Sequence, residues 1–380
     1  MEKKKVLFFI YQLGAGGAGR TLLNVINHID RTQFEPILVT LNYEGSYEAY
    51  LQDDIRFIKL DTKRLRSAIF PLAKVIRQER PDLIFSTIPN YNLIAIMARL
   101  CSFTKAKNIV REAALLGEED SANLKLVIYG MFYRLASHVI SLSEGVKVNL
   151  VERYNVNPTQ ITVIYNPIDL KNLTHEAETG LMPATHEQLF QTDAKTIVTA
   201  GRLVKDKDQQ TLIKAFSIVN QKLPSELIIL GVGEEEETLR ALTRKLDIEQ
   251  SVHFIGFQKN PYMYFKRADL FALSSLREGF GHVLVEALAT GTPVVSTNCK
   301  PGAEEVLANG KYGTICEVGN SQDMADAMYE VLTLSPQETT ERIEKGLQRA
   351  NEFAAQTIVN QYESTFSQVI DPSKRQNVRR

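Results

Sequence analysis

Cysteine is scarce in this chain, and charge of either sign is balanced. Its 380 residues hold three cysteines, Cys101, Cys299 and Cys316, and carry a formal net charge of −1. Three scattered thiols exclude a disulfide framework and a cysteine-based zinc site, and they fit a reducing compartment. Without a basic excess, the chain lacks the electrostatic footprint of a nucleic-acid binder. No apolar run approaches the roughly 18 residues of a membrane span. The run "VLFFIY" after the N-terminal lysines is far shorter than a signal-peptide core and leads into a glycine loop, so it reads as a first strand. Low-complexity segments and short-period repeats are also lacking. These absences lead to the expectation of a globular cytoplasmic protein, at most peripheral on the inner face of the membrane. At about 100–200 residues per domain, the length asks for two domains.

What is present is an alternation of short apolar runs and longer helical patterns. The runs are 6–10, 36–41, 56–60, 83–86, 108–110, 138–142 and 162–165, with helices beginning near Ala18, Ile69, Tyr91, Ser121 and Gly145. Continuous apolar strands between amphipathic helices predict a parallel sheet covered on both faces. The rhythm breaks over 170–194, a polar stretch that reads as a linker. It resumes with strands at 196–201, 226–231, 252–257, 269–274, 293–297 and 313–316, then helices from 321 and about 336. The expected architecture is α/β, two doubly wound Rossmann-like domains facing across a cleft. Residues 1–169 form the first and 195–355 the second, and a C-terminal helix over about 356–380 packs back on the first.

Two turns carry phosphate-binding chemistry. Gly14, Gly16, Gly17 and Gly19 lie between the first strand and its helix, where backbone N–H groups and the helix dipole hold anions. The spacing also suits a plain tight turn, and Glu44 is too distant to serve as the ribose-binding acid of a dehydrogenase. In "TAGRLVKDKDQQTLIKAF", Arg202 and Lys207 follow a strand end and flank a helix start, as a diphosphate clamp or as solvated loop cations. Asp206 and Asp208 are better read as loop and helix-cap residues than as metal ligands.

The stretch "REGFGHVLVEALATGTPVV" sets Glu278 and Glu286 around a helix expected to start near Gly281 or His282 and to end at Ala289. The helix N-terminus suits a phosphate, and carboxylates suit pairs of sugar hydroxyls. A nucleotide sugar offers ribose diol, diphosphate and sugar hydroxyls in that order. A surface helix residue at Glu286 and a loop charge at Glu278 are the plain alternatives.

Together, "GRLVKDKDQQTLIKAF", "EGFGHVLVEALATGTPVVST", "CKPGAEEVL", "GAGGAGR" and "VISLSEGVKVNLVERYNVNPTQITVIYNPID" resemble the retaining GT-B glycosyltransferases of the large bacterial family 4 class. The likeness spans most of the chain and is weakest at 42–135 and 171–192. It implies that Arg202 and Lys207 bind the donor diphosphate, that Glu286 binds the ribose hydroxyls and that Glu278 lies at the donor sugar. Arg202, Lys207 and Glu278 are then the catalytic set. It implies backbone donors along Gly279, Phe280, Gly281, His282, Val283 and Leu284. It also implies a nucleobase near Ile255 and Gly256, and an approach to the phosphate by Gly16 and Gly17. The implied donor is a nucleotide-diphosphate sugar, a UDP-sugar, and the acceptor a glycan or lipid-linked molecule; no cofactor, metal or nucleic acid is implied. Many relatives carry a histidine after the strand equivalent to "NIV", where this chain has Arg111-Glu112. His138 reads as structural, and no histidine base is identifiable. In front-face chemistry the leaving phosphate itself accepts the acceptor's proton.

Two other readings share the architecture. A UDP-sugar 2-epimerase would need catalytic carboxylates and a histidine but no acceptor. A non-catalytic nucleotide-sugar-binding partner would tolerate loss of Arg202, Lys207, Glu278 and Glu286, which are intact here. Segment 61–81, with six Lys/Arg against two acids around "IFPLAKVI", is either an amphipathic helix on anionic lipid or an ordinary helix packed on the sheet.

Overall fold

The computed structural model describes residues 3–14, 17–113 and 123–372. Thirteen strands form among them: β1 Lys4–Phe9, β2 Phe34–Leu41, β3 Arg56–Leu60, β4 Leu83–Thr87, β5 Lys107–Glu112, β6 His138–Ser141, β7 Ile161–Val163, β8 Lys195–Ala200, β9 Ser225–Leu230, β10 Val252–Phe254, β11 Leu270–Leu273, β12 Val294–Thr297 and β13 Thr314–Cys316. They make a seven-stranded sheet, β3-β2-β1-β4-β5-β6-β7, and a six-stranded sheet, β10-β9-β8-β11-β12-β13. Every strand pairing is parallel. One unit runs to Pro167 and resumes at Ala355; the other spans Ile168–Ala354.

Burial on both faces explains the unbroken apolar runs. In β1, Val6 and Phe8 enter one core and Leu7 and Phe9 the opposite one. Successive side chains point to opposite faces, and helices cover each face, so every position is apolar. Strand order reverses between β1 and β4 in one sheet and between β8 and β11 in the other. At such a switch point the flanking connections diverge to opposite faces, and a crevice opens beyond the carboxyl ends of the strands.

The polar stretch 170–194 is not a linker but part of the second unit. It folds as helices Leu170–Thr179 and Ala184–Glu187, the first capped by Asp169, whose carboxylate accepts from Asn172 N at 3.1 Å. Leu173 is buried, Asn260 donates to the Glu176 carbonyl at 2.8 Å, and His186 meets the Tyr264 hydroxyl at 2.7 Å. A few apolar anchors and specific hydrogen bonds hold it where composition suggested a loose connection.

Segment 61–81 also differs from its lipid-facing reading. Helix Ile69–Glu79 turns Leu72, Ala73 and Ile76 into the core, so its apolar face is already occupied. Lys63, Arg64, Arg66, Lys74, Arg77 and Arg80 stay exposed, and Phe70 is the single large apolar side chain of this segment left outside.

Helix Ala355–Ile370 follows the second unit yet supplies Ile358, Val359, Tyr362, Phe366 and Val369 to the core of the first. A buried cation anchors it. Arg111, at the end of β5, is 1 % exposed. Its guanidinium donates to the Tyr362 hydroxyl at 3.0 Å, to Thr87 Oγ1 at 3.3 Å and to Asn166 Oδ1. Thr21, in helix Gly17–His28, donates to the same Asn166 oxygen at 2.9 Å. One arginine thus ties the first helix, two strand ends, the segment leaving the unit and the helix returning to it.

Removing that fork strands buried acceptors, and hydrogen bonds to a charged group contribute roughly 1.5–3 kcal/mol each. Arg111→Met should therefore lower unfolding stability by about 3 kcal/mol in urea denaturation, with Arg111→Lys restoring little because an ammonium cannot reproduce the planar fork. Wild-type stability in Arg111→Met would show that this network does not anchor the returning helix.

Candidate active site

In the second unit, the connections after β8 and β11 leave the sheet at the switch point. The first, from Gly201, makes a tight turn over Lys205–Lys207 and enters helix Gln209–Asn220. Asp208 caps that helix from a left-handed conformation, φ 43°, accepting from Thr211 N at 3.4 Å and Thr211 Oγ1 at 2.6 Å. Asp206 instead faces Arg277 at 3.7 Å. The Asp-x-Asp pair is thus split between a cap and an ion pair.

The two connections are stitched together. Leu276 N donates to the Asp206 carbonyl at 2.8 Å, and Ser274 Oγ to the Lys207 carbonyl at 2.9 Å. Across the same gap, Lys207 Nζ donates to Glu278 Oε1, which also accepts from Ser275 Oγ at 3.0 Å. Ser275 is in turn held by Thr297 at the end of β12, whose hydroxyl donates to the Ser275 carbonyl at 2.6 Å. The pair is sheltered: the Lys207 and Glu278 side chains are 23 % and 15 % exposed. Arg202, expected beside Lys207, is exposed and forms no ion pair with any described residue.

Glycines bring backbone close to backbone here. A Cβ on Gly231, φ 146°, would lie 1.8 Å from the Gly201 carbonyl oxygen, and one on Gly302 would lie 2.8 Å from the carbonyl oxygens of Glu278 and Phe280. Gly302 N donates to the Glu278 carbonyl at 2.9 Å, which fixes the loop carrying that carboxylate. Gly256 follows β10 with φ 71° and has nothing within 4 Å of its would-be Cβ, so the space beside it is open. Gly231 N donates to the Gly256 carbonyl at 2.9 Å, and Ile255 N to Ile229 O at 3.2 Å. The ends of β8, β9 and β10 thus form a low, side-chain-poor ledge.

Helix His282–Ala289 starts as expected. Gly281, φ 79°, precedes it, and no side chain caps its first turn. Its N-terminal amides keep their affinity for anions and acceptor oxygens. The side chains of Phe280 and Leu284 are buried at 3 % and 0 %, Phe280 stacking edge-on against Phe353 at 5.3 Å and His282 at 5.4 Å. Only backbone is left for ligand contact at those two positions; Gly279 and Val283 are half-buried. Glu286 is 4 % exposed, so it is not the surface helix residue that spacing alone allowed.

Beneath the loop, burial, then the charge of Glu278, pushes the Cys299 thiol up to about 11; burial likewise takes Cys316 to about 12. Both are inert packing groups. Ser274, Ser275, Thr297 and Gly302 escaped the sequence reading. The paired serines directly after an apolar strand were the available signal.

In the first unit, Gly17 opens helix Gly17–His28, and Gly16 lies outside the described residues. At the position where the resemblance expects a histidine, Arg111 and Glu112 are both buried. Glu112 accepts from the Tyr133 hydroxyl at 3.0 Å, and burial with that adjacent charge holds the Tyr133 phenol well above its usual range. His138 is buried and bonded to Thr162 Oγ1 at 2.8 Å, a structural role as expected.

Sequence and structure comparisons bear on both units. The family model for glycosyl transferases group 1 matches residues 182–349, and that for Glycosyltransferase Family 4 matches 15–172. An N-acetylgalactosaminyltransferase of Campylobacter jejuni, acting on N-acetylgalactosamine-N,N'-diacetylbacillosaminyl-diphospho-undecaprenol, is 30% identical over 87% of this chain and 90% of its own. The N-acetyl-alpha-D-glucosaminyl L-malate synthase of Bacillus anthracis is 27% identical over 80% of this chain and 79% of its own. Among solved structures, a Rickettsia africae glycosyltransferase superposes with TM-score 0.83 at 17% identity, covering 98% of this chain and 100% of its own. An Anabaena protein in complex with UDP superposes with TM-score 0.81 at 22% identity, covering 96% and 99%. With two parallel α/β sheets of GT-B type and a likeness that runs through both units, the chain belongs to the group 1 glycosyl transferases, enzymes of polysaccharide and glycoconjugate synthesis.

Proposed function

We propose that the chain transfers a hexosyl or N-acetylhexosaminyl group from a UDP-sugar, with retention of anomeric configuration, to a lipid-linked or glycan acceptor of capsule or lipopolysaccharide synthesis. The observation that carries this reading is the Lys207–Glu278 pair at the switch point of the second unit, with exposed Arg202 on the connection after β8 and the uncapped helix at His282 on the connection after β11. A cation, a carboxylate and a helix N-terminus without a side-chain cap are groups that suit a diphosphate joined to a sugar. The UDP held by the Anabaena structure and the diphosphate-linked acceptor of the Campylobacter enzyme support the same chemistry.

In this reading the donor diphosphate takes Lys207 Nζ from Glu278 and gains Arg202 and the helix amides as further partners. Glu278, still held by Ser275, turns its carboxylate to the hydroxyls of the transferred sugar. Glu286 accepts from the ribose hydroxyls, and the base lies along the open backbone at Ile255 and Gly256. The acceptor hydroxyl attacks the anomeric carbon on the face from which the nucleotide leaves. The carbon–oxygen bond to the diphosphate breaks, the new glycosidic bond forms, and the acceptor's proton passes to the departing phosphate oxygen. Lys207 and Arg202 stabilise the charge that develops there. This scheme needs neither a metal nor a histidine base.

The pairing changes what substitution of the two residues should do. Loss of one electrostatic donor at a developing charge costs about 3 kcal/mol, so Lys207→Ala should reduce kcat/KM about a hundredfold or more. Glu278→Gln should abolish most transfer yet bind UDP about fivefold more tightly, because phosphate no longer competes with a carboxylate pair worth near 1 kcal/mol. Calorimetry with UDP on a folded Glu278→Gln protein reads this directly. Weaker or unchanged UDP binding would remove the competition from the scheme.

Metal chelation supplies an independent check. Turnover measured by mass spectrometry, with a panel of UDP-sugars and lipid-extract acceptors, should persist in EDTA. Strict restoration by Mn²⁺ or Mg²⁺ would mean that Asp206 or another acid binds a metal after all. Free epimerised sugar formed without acceptor would favour an epimerase.

A further inference from the structure

We infer that Arg349 is a positioning residue for sugar transfer: it sets the place of the loop that carries Glu278 and Phe280, acting through the short helix Gly302–Val306 and through Phe353. The inference rests on the role given to Glu278 in the reading above.

Helix Gly302–Val306 is a strut gripped at both ends. Its five residues are too few for a helix that holds itself, so its direction depends on what binds its ends. At the front, Gly302 N donates to the Glu278 carbonyl at 2.9 Å, and the backbone of Pro301 pairs in parallel with that of Glu278. At the back, Arg349 Nε donates to the Val306 carbonyl at 2.9 Å and Arg349 Nη2 to the Glu305 carbonyl at 2.6 Å. These are the last carbonyls of the strut, where the helix dipole is negative and a cation is favoured.

Arg349 is itself firmly placed. It projects from helix Pro336–Asn351, its side chain is 13 % exposed, and its Nη1 donates to Glu352 Oε2. Its guanidinium lies over the rings of Tyr312 and Phe353, 5.3 and 4.7 Å from their centroids. Phe353 in turn stacks edge-on against buried Phe280 at 5.3 Å. One side chain thus reaches the loop by two routes, through the strut to the Glu278 carbonyl and through Phe353 to Phe280. A planar guanidinium can donate from its edge and stack on its faces at once, which an ammonium cannot. Neither route runs through Lys207 or Arg202. Arg349 therefore bears on the sugar end of the site and not on its phosphate end, and a small displacement of a group that positions the reacting sugar slows transfer without releasing the nucleotide.

The test compares Arg349→Met, which keeps an apolar stem against the two rings, with Arg342→Met. Arg342 lies on the same helix and donates to Thr314 Oγ1 at 2.6 Å, a bond of similar kind that leads to β13 and not to the strut. Hydrogen–deuterium exchange of the full chain, without donor or acceptor, should be about tenfold faster in Arg349→Met over residues 276–284 and 302–306, with β8 and β9 exchanging as in wild type. Arg342→Met should leave both segments unchanged. In turnover of a UDP-sugar, Arg349→Met should lower kcat about tenfold or more while the donor KM stays within about twofold, and Arg342→Met should match wild type. Added to Glu278→Gln, Arg349→Met should lower kcat little further, because it acts through that residue. The inference is overturned if the two segments exchange as in wild type, or if exchange rises throughout the chain, the mark of general destabilisation. It is equally overturned if kcat is unchanged, if the loss falls on the donor KM, or if the two substitutions add in full. Exchange is read without turnover, so a chain that transferred no sugar would remove the transferase reading while the link from Arg349 to the loop would still stand or fall on its own result.

Discussion

Parallel strands that reverse their order between β8 and β11 leave a gap at the carboxyl edge of the sheet, and in this protein an ion pair bridges it. Lys207 comes from one connection and Glu278 from the other. The surrounding structure keeps these two side chains in register. Ser274 and Ser275, consecutive residues at the end of β11, hold the Lys207 carbonyl and the Glu278 carboxylate respectively. Thr297 fixes Ser275, and Gly302 lets a short helix approach the Glu278 carbonyl where any Cβ would collide. The pair is a sheltered salt bridge that satisfies both charges.

That arrangement resolves the electrostatic problem of a site with acids beside an anion-binding helix. A bare carboxylate near a diphosphate repels it. In the proposed scheme, a carboxylate already bound to a lysine is neutralised until the phosphate arrives, and it is then released toward neutral hydroxyls. The three glycines that end β8, β9 and β10 remove side chains from the adjoining ledge, where the proposed scheme sets the base against backbone.

Much of the fold was legible because parallel strands buried on both faces must be apolar at every position. All thirteen short apolar runs became strands, and helices His282–Ala289, Ser321–Leu332 and Pro336–Asn351 begin where their glycine, polar and proline punctuation stands. Asp208 was legible as a cap for the same local reason. Contacts between distant residues were not. Lys207 and Glu278 are 71 positions apart, and Arg111 and Tyr362 are 251 apart; no periodicity encodes either meeting. Segment 170–194 misled because two buried side chains, Leu173 and Met182, and a few side-chain hydrogen bonds fix it, with little compositional trace. The apolar side of 69–79 misled because amphipathicity is the same whether a helix faces its own sheet or a lipid. Burial separates the two cases.

The central claim is that the nucleotide diphosphate and Glu278 compete for one lysine. A crystal structure of the UDP complex tests it most directly. The account predicts Lys207 Nζ on a phosphate oxygen, with Glu278 detached from it but still hydrogen-bonded to Ser275. An intact Lys207–Glu278 pair beside a fully bound diphosphate held by other groups would contradict it.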